Sequence, residues 1–327
     1  MSGAVTIGVF DGLHLGHRDI LARAIDRARE DSGPCAVVSF DPHPDLVLAK
    51  SFRALAPLTP LPERRARLRE LGVDTVDAMP FTRELAALSP EEFVDRHLVQ
   101  RFHPRWLVVG ENFALGHRRA GDVARLTEIG RPHGFAVDAV PLRIEDGTPV
   151  SSTRVRELLA AGRVAAAGRL LGRRYRLSGL VVRGDGIGRT LGFPTANLRL
   201  LEEKLAPAHG IYAVWARILP DPARLPAAMS IGVRPTFGGH IPTLEVHLIG
   251  WSGELPGREL EVEFVDWLRA EERFDDAAAL IEAMRRDVIE AQDRLAHAPE
   301  PEPWTPPDPR AAPGRGPGRV APGAAGC

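Results

Sequence analysis

The sequence predicts an α/β protein in which a parallel, doubly wound sheet precedes a small antiparallel barrel and one C-terminal helix. Apolar strand-like runs alternate with helix-like segments over roughly the first 140 residues. Beyond Gly172 the pattern changes to short strands of period-2 alternation without intervening helices. We therefore expect one module over residues 1–172, a second over residues 173–297 and a terminal segment over residues 298–327.

The chain opens with a continuous apolar run over residues 5–10, which predicts a buried strand. Parallel strands that are covered on both faces have such runs, and Asp11-Gly12 interrupts this one where a tight turn is needed. A helix is expected to begin near His17, because apolar residues recur at helical spacing between residues 20 and 28.

Further strands and helices alternate and complete the predicted sheet. Strands are expected over residues 34–40, 73–79, 106–109 and 135–140, and helices over residues 62–71, from Ser89 onward and over residues 122–129. Ser89-Pro90-Glu91-Glu92 has the serine, the first-turn proline and the third-position glutamate of a capping box.

Three segments that each follow a predicted strand are expected to form one site. They are the turn with His14 and His17, the loop over residues 41–44 and the loop of Asn112. In doubly wound sheets ligands bind beyond the carboxyl ends of the strands. The agreement of the three segments is stronger support for a site than any one motif.

His14 and His17 indicate phosphate chemistry. A helix that follows a strand presents unpaired backbone N–H groups and a partial positive charge, so a phosphate can bind at its N-terminus. Gly8, Gly12 and Gly16 let that phosphate approach the main chain, and both histidines can direct N–H donors at it. An isolated H-x-x-H pair is more often an ordinary pair of surface residues. The surrounding strand, glycines and helix favour the chemical interpretation.

Another helix is expected to start near Ser152. Either Ser152 or Thr153 would cap it, with Arg156 one turn inside. A simple N-cap explains the hydroxyl groups, but two arginines in a first turn oppose the helix dipole. A bound anion would remove that conflict. We therefore assign Ser152, Thr153 and Arg156 to the binding of a triphosphate.

The second module is predicted to be a barrel closed by a helix. Strands are expected over residues 176–183, 212–218, 229–233, 243–249 and 260–268. An amphipathic helix over residues 275–295 should turn its apolar face to the barrel. From Pro299 onward the chain is rich in proline, glycine, alanine and arginine and has little to bury, so we expect disorder there.

The segment GDGIGRTLGFPTAN over residues 184–197 is the unusual part of the barrel module. It resembles a dinucleotide motif only superficially, because Pro194 works against a following helix. We assign its Gly186, Gly188 and Gly192 to nucleotide binding. A flexible hairpin loop is the alternative.

Thr195 and Asn197 end this segment and are candidates for binding Mg²⁺. In an extended chain their side chains point the same way and offer neutral oxygens. Such a set suits Mg²⁺, which takes few protein ligands and completes its coordination with phosphates and water. We expect both residues to be metal ligands.

Glu245 lies on a predicted strand whose apolar residues alternate with polar ones. Leu244, Val246 and Leu248 are expected to face the core, so Glu245 and His247 face away from it. A lone glutamate in such a strand usually belongs only to its polar face. Beside a loop that binds metal and phosphate, however, Glu245 is the right residue type to take a proton from an attacking hydroxyl.

Composition excludes other function classes. The formal net charge of -1 over 327 residues argues against a general nucleic-acid binder. Because no apolar run approaches a membrane span and the first residues lack a secretory signal, we expect a cytoplasmic protein without membrane partners. The lysines, Lys50 and Lys204, do not follow a glycine, which excludes a Walker A loop. Cys35 and Cys327 offer neither a disulfide framework nor a metal cluster.

Both constellations, in this order, resemble the bifunctional riboflavin kinase/FAD synthetase family of prokaryotes. The resemblance extends over about residues 5–295. It rests on VTIGVFDGLHLGH, FDPHP, VGENFALG and SSTRVREL, followed by GRTLGFPTANL, GIYAV, SIGVRPTFGG, LEVHL and LRAEERF. H-x-G-H alone is shared by many nucleotidyltransferases, but its combination with G-F-P-T-A-N and a downstream E-V-H is much more selective.

The resemblance implies a Rossmann-like nucleotidyltransferase domain followed by a riboflavin kinase barrel. The barrel would phosphorylate riboflavin with ATP to give FMN, and the first domain would adenylylate FMN with a second ATP to give FAD and pyrophosphate. By family motif, adenylylation involves His14, His17, Asn112, Ser152, Thr153 and Arg156, and the kinase involves Thr195, Asn197 and Glu245. We also assign Gly8 and Phe10 to nucleotide binding. Small molecules are the expected partners, and a weak homo-oligomer is left open.

Two departures from the family pattern follow the Glu245 strand. Gly250-Trp251 stands where the family has Asp-Phe, and Pro256-Gly257 stands where it has Tyr-Gly. Trp251 is a candidate for the aromatic surface that Phe otherwise supplies. Two alternatives stay open: an adenylyltransferase with a weakened kinase domain, and a non-catalytic sensor of flavin or nucleotide.

Overall fold

The fold has the predicted α/β architecture. The computed structural model describes residues 3–48, 56–184, 186–236 and 239–300. Within these ranges a five-stranded parallel sheet with flanking helices is followed by a closed antiparallel barrel and a long helix. The terminal segment that we expect to be disordered, residues 298–327, lies almost entirely outside the described residues.

The parallel sheet is built from five of the strands in the first module. In chain order these strands are β1 (Ala4–Ile7), β2 (Cys35–Asp41), β3 (Thr75–Pro80), β4 (Trp106–Gly110), β5 (Ala114–Leu115), β6 (Gly121–Asp122), β7 (Ala136–Val140), β8 (Ile144–Glu145) and β9 (Thr148–Pro149). The sheet order is β3-β2-β1-β4-β7, and each neighbouring pair is parallel. Strands β5 with β6 and β8 with β9 form two small hairpins.

Helices connect these strands as the alternating pattern predicts. They are α1 (Leu15–Glu30), α2 (Pro44–Leu48), α3 (Leu61–Glu70), α4 (Arg83–Ala87), α5 (Pro90–Phe93), α6 (Gln100–Phe102), α7 (Val123–His133), α8 (Ser152–Ala160) and α9 (Val164–Leu171). A π-helical turn (Val94–Val99) joins α5 to α6, and a 3-10 turn (His117–Arg119) precedes β6. The predicted capping box of α5 is confirmed, because Ser89 and Glu92 each accept a hydrogen bond from the other's backbone N–H.

The start of α8 differs from the prediction by one residue. Ser151 is the N-cap, and its hydroxyl oxygen accepts a hydrogen bond from the N–H of Arg154 at 3.2 Å. The expectation that Ser152 or Thr153 caps this helix is therefore wrong. Three hydroxyl residues follow one another here, and each of them is an acceptable cap.

The barrel consists of six antiparallel strands. They are β10 (Arg176–Val182), β11 (Ala196–Leu200), β12 (Gly210–Ile218), β13 (Leu225–Thr236), β14 (Gly239–Leu248) and β15 (Glu259–Arg269), in the order β10-β11-β14-β13-β12-β15. A short helix α10 (Ile187–Thr190) lies between β10 and β11, where the sequence predicts a loop. The long helix α11 (Ala277–His297) follows β15 and packs on the barrel.

The interior of the barrel continues into the first module. Along β14, Leu244, Val246 and Leu248 are buried while Glu245 and His247 are partly exposed, so the predicted alternation is confirmed. One hydrophobic cluster contains barrel residues together with residues of α8, α9 and the loop before α3, including Leu58 and Leu159. The two folds therefore share a packed interior. Within the described ranges, no helix is both long enough and apolar enough to cross a bilayer.

An ionic cluster stabilises the outer surface of the barrel. The carboxylate of Glu263 on β15 is almost fully buried. It lies 2.6 Å from a guanidinium nitrogen of Arg176 and of Arg217, and 3.2 Å from one of Arg224. A buried carboxylate is tolerated when charged partners and hydrogen bonds compensate for its lost hydration.

Replacement of Glu263 by alanine should destabilise the barrel, because these three arginines and Arg174, at 3.9 Å, lose their shared partner. We expect Glu263→Ala to lower the free energy of unfolding by about 2 to 4 kcal/mol in urea denaturation followed by circular dichroism. The matched control is Glu282→Ala, whose ion pair with Arg285 is exposed on both sides. It should cost less than about 0.5 kcal/mol. Equal losses in the two variants would contradict the importance of the cluster.

Candidate active sites

The first site is built on the irregular turn between β1 and α1. Phe10, Gly12 and Leu13 all have positive φ angles, of 53°, 84° and 45°. Non-glycine residues seldom adopt this conformation, so the surroundings must hold the turn. The carboxylate of Asp11 accepts hydrogen bonds from the N–H groups of Leu58 at 3.1 Å and Thr59 at 2.8 Å, which fixes the turn to the loop before α3.

His14 and His17 are brought together at the start of α1. The helix begins at Leu15 rather than near His17, because Nδ1 of His14 caps it by accepting the N–H of His17 at 3.3 Å. An accepting Nδ1 leaves the proton of a neutral imidazole on Nε2. The two rings stack with their centroids 3.6 Å apart. The His14 side chain therefore caps the helix and carries its N–H on Nε2.

Both histidines are held in the neutral form. Burial lowers the pKa of His14 to about 3, and the nearby positive charge of Arg173 adds to the effect. The pKa of His17 is also well below its ordinary value, mainly because of burial and then because of His14 and Arg64. Neutral imidazoles can donate hydrogen bonds to phosphate oxygens without first gaining a proton.

Gly8 and Phe10 lie beneath the histidines. The Phe10 side chain is buried, and its ring meets that of His17 edge to face with the centroids 5.2 Å apart. A Cβ on Gly8 would come within 3.3 Å of the same phenyl ring. Phe10 thus supports the His17 ring from the protein interior.

The residues predicted at α8 contact the same turn. The hydroxyl of Ser152 donates to the backbone carbonyl of Asp11 at 2.8 Å, and Arg156 pairs with the Asp11 carboxylate. Thr153 is exposed at the helix N-terminus. The other first-turn arginine, Arg154, donates to the carbonyl of Glu145 at 2.8 Å and to that of Thr148 at 3.0 Å. Both arginines therefore have protein acceptors, so the sequence argument for a bound anion loses its force.

Asn112 lies at the carboxyl end of β4, which neighbours β1 in the sheet. Its side chain is exposed, and its amide oxygen would be 3.4 Å from a Cβ on Gly110. The predicted loop therefore opens at the same sheet edge as the histidine turn. Within the described ranges, Asn112 forms no hydrogen bond with either histidine.

Two arginines that the sequence analysis did not single out hold this site together. Buried Arg64 on α3 donates to the carbonyls of Val9 at 3.0 Å and Phe40 at 3.1 Å, at the ends of two neighbouring strands. Arg173 donates to the carbonyl of Gly12 at 2.9 Å. Among 42 basic residues no local pattern distinguishes these two, because their partners are remote in sequence.

The second site is a groove of about 690 Å³ between the barrel and α11. Its lining includes Glu245, Thr195 and Asn197, so these predicted residues come together. The hydroxyl of Thr195 donates to the Glu245 carboxylate at 3.2 Å, and Asn197 is paired with Glu245 across β11 and β14. The groove continues to the apolar side chains of Leu280, Met284 and Val288 on α11.

The donor set in the groove fits Mg²⁺. Thr195, Asn197 and Glu245 supply a hydroxyl, an amide and a carboxylate, all of them hard oxygen ligands. Within the described residues no cluster of three or more His, Cys, Asp or Glu side chains could hold a metal. A site with few carboxylates suits a cation that arrives with a nucleotide phosphate and keeps much of its water.

The three predicted glycines of this site differ in position. Gly186 and Gly188 line the groove, whereas Gly192 is exposed in the loop and is not part of the lining. A Cβ at Gly188 would lie 2.4 Å from the carbonyl oxygen of Phe193 and 3.1 Å from the hydroxyl of Thr195. Close approach of two backbone segments therefore requires glycine at position 188.

The aromatic lining of the groove comes from Phe193 and Phe274. Trp251 is not among the lining residues but packs against the barrel core. The expectation that Trp251 supplies the aromatic surface of this site is therefore wrong.

Phe274 also lies near Arg269, whose guanidinium carbon is 5.7 Å from the ring centroid. The same guanidinium forms a bidentate ion pair with Asp287 of α11. Sequence reasoning missed this set, although Phe274 ends the LRAEERF motif.

Two family models match the chain in succession. Residues 2–154 match the model described as FAD synthetase, and residues 171–295 match the model described as riboflavin kinase. The first match covers the histidine turn and the start of α8, and the second covers the entire barrel with most of α11.

Curated relatives match over most of their length. A bifunctional riboflavin kinase/FMN adenylyltransferase of Escherichia coli strain K12 is 39% identical over 289 residues, which cover 88% of this chain and 91% of the relative. The protein of that name from Pseudomonas fluorescens is 42% identical over 294 residues, with the same coverages.

A solved structure has the same two-module fold. The crystal structure of a protein from Streptococcus pneumoniae titled as a macrolide-efflux protein has a TM-score of 0.82 and 29% sequence identity. The match covers 89% of this chain and 94% of that one. The likeness therefore includes the arrangement of both modules.

The depressed pKa of His14 predicts a pH-dependent stability. The unfolded histidine binds a proton near pH 6.5, whereas the folded one does so only near pH 3, so the free energy of unfolding should fall as the pH drops through this window. Urea denaturation at about pH 7 and about pH 5 would measure the change. His14→Asn keeps a capping oxygen but removes the titrating group. The free energy of unfolding of this variant should therefore fall less between the two pH values than that of the unsubstituted chain. An equal or larger decline in that variant would contradict the assignment.

Proposed function

The chain belongs to the family of bifunctional riboflavin kinases/FMN adenylyltransferases, and we propose that its two sites divide the two activities between them. The groove of the barrel transfers the γ-phosphoryl group of ATP to riboflavin, which gives FMN and ADP. The histidine site transfers AMP from a second ATP to FMN, which gives FAD and pyrophosphate. The observation that carries this proposal is that one chain contains both sets of residues. Thr195, Asn197 and Glu245 lie together in the groove, and the stacked histidine pair lies at the other site.

In the kinase step, Glu245 is the general base. Its carboxylate lies in the groove, where it can accept the proton of the terminal ribityl hydroxyl as that oxygen attacks the γ-phosphorus of ATP. The hydrogen bond from Thr195 keeps the carboxylate oriented. The apolar residues of α11 and the ring of Phe274 give the flavin ring system an apolar surface.

Thr195 and Asn197 are the proposed ligands of Mg²⁺ in this groove. When bound, the cation supplies electrostatic stabilisation for the charge that accumulates on the transferring phosphoryl group. The residues of the chain then have three tasks: to hold the nucleotide phosphates, to orient the hydroxyl and to accept its proton. No covalent enzyme intermediate is required.

In the adenylyl step, neutral His14 and His17 donate hydrogen bonds to the α-phosphoryl group. Their role is electrostatic, because depressed pKa values keep both rings from acting as acids near neutral pH. Ser152, Thr153 and Arg156 are proposed to bind the triphosphate at the N-terminus of α8; the family motif SSTRVREL supports this role, with Ser152 and Arg156 anchored there by Asp11. Gly8, Phe10 and Asn112 complete the proposed nucleotide site at the carboxyl ends of β1 and β4.

The intact kinase constellation argues against the other two candidates. A kinase domain reduced to flavin retention, or a sensor without catalysis, would not need a carboxylate that is hydrogen-bonded to a threonine and lies opposite an asparagine on the neighbouring strand. Incubation of the purified chain with riboflavin, ATP and Mg²⁺ distinguishes the three. The bifunctional enzyme produces both FMN and FAD, an adenylyltransferase produces FAD only from supplied FMN, and a sensor produces neither.

His17→Ala should separate the two activities. We expect FMN formation to be unchanged and FAD formation from supplied FMN to slow by about two to three orders of magnitude, the scale for the loss of one preorganised donor. Chromatographic separation of riboflavin, FMN and FAD measures both rates. His133→Ala, at the exposed end of α7, is the matched control and should change neither rate. Equal loss of both activities in His17→Ala would argue against separate sites.

Glu245→Gln should produce the opposite result. The amide keeps the size of the side chain but cannot accept the hydroxyl proton, so riboflavin phosphorylation should fall by about two to four orders of magnitude. FAD synthesis from supplied FMN should continue at the original rate. Glu254→Gln, in the exposed loop after β14, is the control for a change of charge. Unchanged kinase turnover in Glu245→Gln would remove this residue as the base.

A further inference from the structure

His247 shares the groove-facing side of β14 with Glu245. The two residues are separated by buried Val246, so the strand directs both side chains away from the barrel core. Both line the groove. Because β14 is paired with β13 and β11 in a closed barrel, the spacing of His247 and Glu245 is set by a rigid element.

The His247 ring makes one contact that defines its tautomer. Its Nδ1 lies 2.9 Å from the carbonyl oxygen of Pro194. A carbonyl oxygen only accepts, so Nδ1 must carry a proton and donate it. Protonation of the ring adds a proton at Nε2 and leaves this donor in position. The bond therefore persists in both charge states of the imidazole.

The carbonyl of Pro194 lies outside the paired part of β11 and β14. Strand β11 begins at Ala196, which pairs with Val246, and two residues earlier the proline has no N–H with which to continue the pairing. The side chain of His247 donates a hydrogen bond to the Pro194 carbonyl in place of a backbone N–H. The Phe193 ring meets the His247 ring edge to face, with the centroids 5.6 Å apart. His247 therefore contacts both residues that immediately precede Thr195.

The segment before Thr195 is costly to order, because it is rich in glycine. Gly186 and Gly192 have φ angles of 73° and 88°, and much of the segment is exposed. Glycine loses more backbone entropy on ordering than any other residue. A hydrogen bond and an aromatic contact at the end of this segment restrict the position of Thr195, whose hydroxyl binds Glu245.

We propose that His247 is a positioning residue of the kinase site, which holds the Pro194 carbonyl and so keeps Thr195 against Glu245 during phosphoryl transfer. This assignment rests on the proposed kinase function. Two hydrogen bonds join β14 to the glycine-rich segment: one from His247 to Pro194, and one from Thr195 to Glu245. Both lie beside the proposed position of the substrate's ribityl hydroxyl. The role of His247 is to donate one hydrogen bond, and it requires no proton transfer.

Two substitutions separate this role from others. In His247→Leu the donor is lost while an apolar side chain remains. In His247→Asn the amide nitrogen is as many bonds from Cα as Nδ1 is, so the donor is retained without a titrating group. His297→Leu, on a largely exposed histidine near the end of α11, is the matched control.

Kinase activity gives the first measurement. We expect kcat for riboflavin phosphorylation to fall about 10- to 100-fold in His247→Leu, the scale for a small misplacement of reacting groups, and to recover to within about threefold of the original in His247→Asn. The pH profile of kcat in His247→Asn should keep the shape of the unsubstituted enzyme. FAD synthesis from supplied FMN should be unchanged in every variant. An Asn variant as impaired as the Leu variant, or one that loses a limb of the profile, would overturn the positioning role.

Trypsin cleavage after Arg189 gives a second measurement that does not depend on activity. Arg189 is exposed in α10, within the segment that His247 restrains. His247→Leu should be cleaved there several-fold faster than the unsubstituted chain, because the segment opens more often, whereas His247→Asn and His297→Leu should not. Equal cleavage rates in all four proteins would overturn the inference. A chain that makes no FMN but shows the expected cleavage pattern would instead count against the proposed function alone.

Discussion

The buried carboxylate of Asp11 is the interaction on which the first site depends. It accepts the N–H groups of Leu58 and Thr59 and pairs with Arg156, so one side chain joins β1, the loop before α3 and helix α8. The turn that it holds has unfavourable backbone angles and carries His14. Without the carboxylate, two amides and a guanidinium would lose their partner in the protein interior, which costs more than the bonds themselves contribute.

The loop held by Asp11 also connects the two modules. The Leu58 side chain belongs to the hydrophobic cluster of the barrel, and the carbonyl of Pro57 accepts the N–H of Leu205 at 2.9 Å. The neighbouring Lys204 pairs with Glu63 of α3, and burial lowers the pKa of this lysine to about 8. The change of pattern near Gly172 therefore separates two folds but not two independent cores. The loop before α3 therefore contacts the barrel on one side and the histidine turn on the other.

The sequence predicts those features that depend on neighbours a few residues apart. The capping box at Ser89 and the alternation around Glu245 are local patterns, and both are present in the structure. The partner of Arg156 and the packing of Trp251 against the barrel core depend on residues far along the chain, so local pattern could not give them. The hydroxyl run at α8 is a different case, because three adjacent residues can each cap a helix and only the packed structure selects Ser151.

The two sites position their catalytic groups in different ways. In the barrel, ladder pairing already fixes Glu245 opposite Asn197, so side-chain bonds are needed only where the ladder ends at a proline. In the sheet, the histidines follow the end of a strand, where no ladder restrains the chain. Buried polar groups such as Asp11, Arg64 and Arg173 supply the missing restraints from elements remote in sequence. Precision at the first site therefore depends on ionic and polar contacts that can be removed singly, whereas precision at the second depends mainly on the closed barrel.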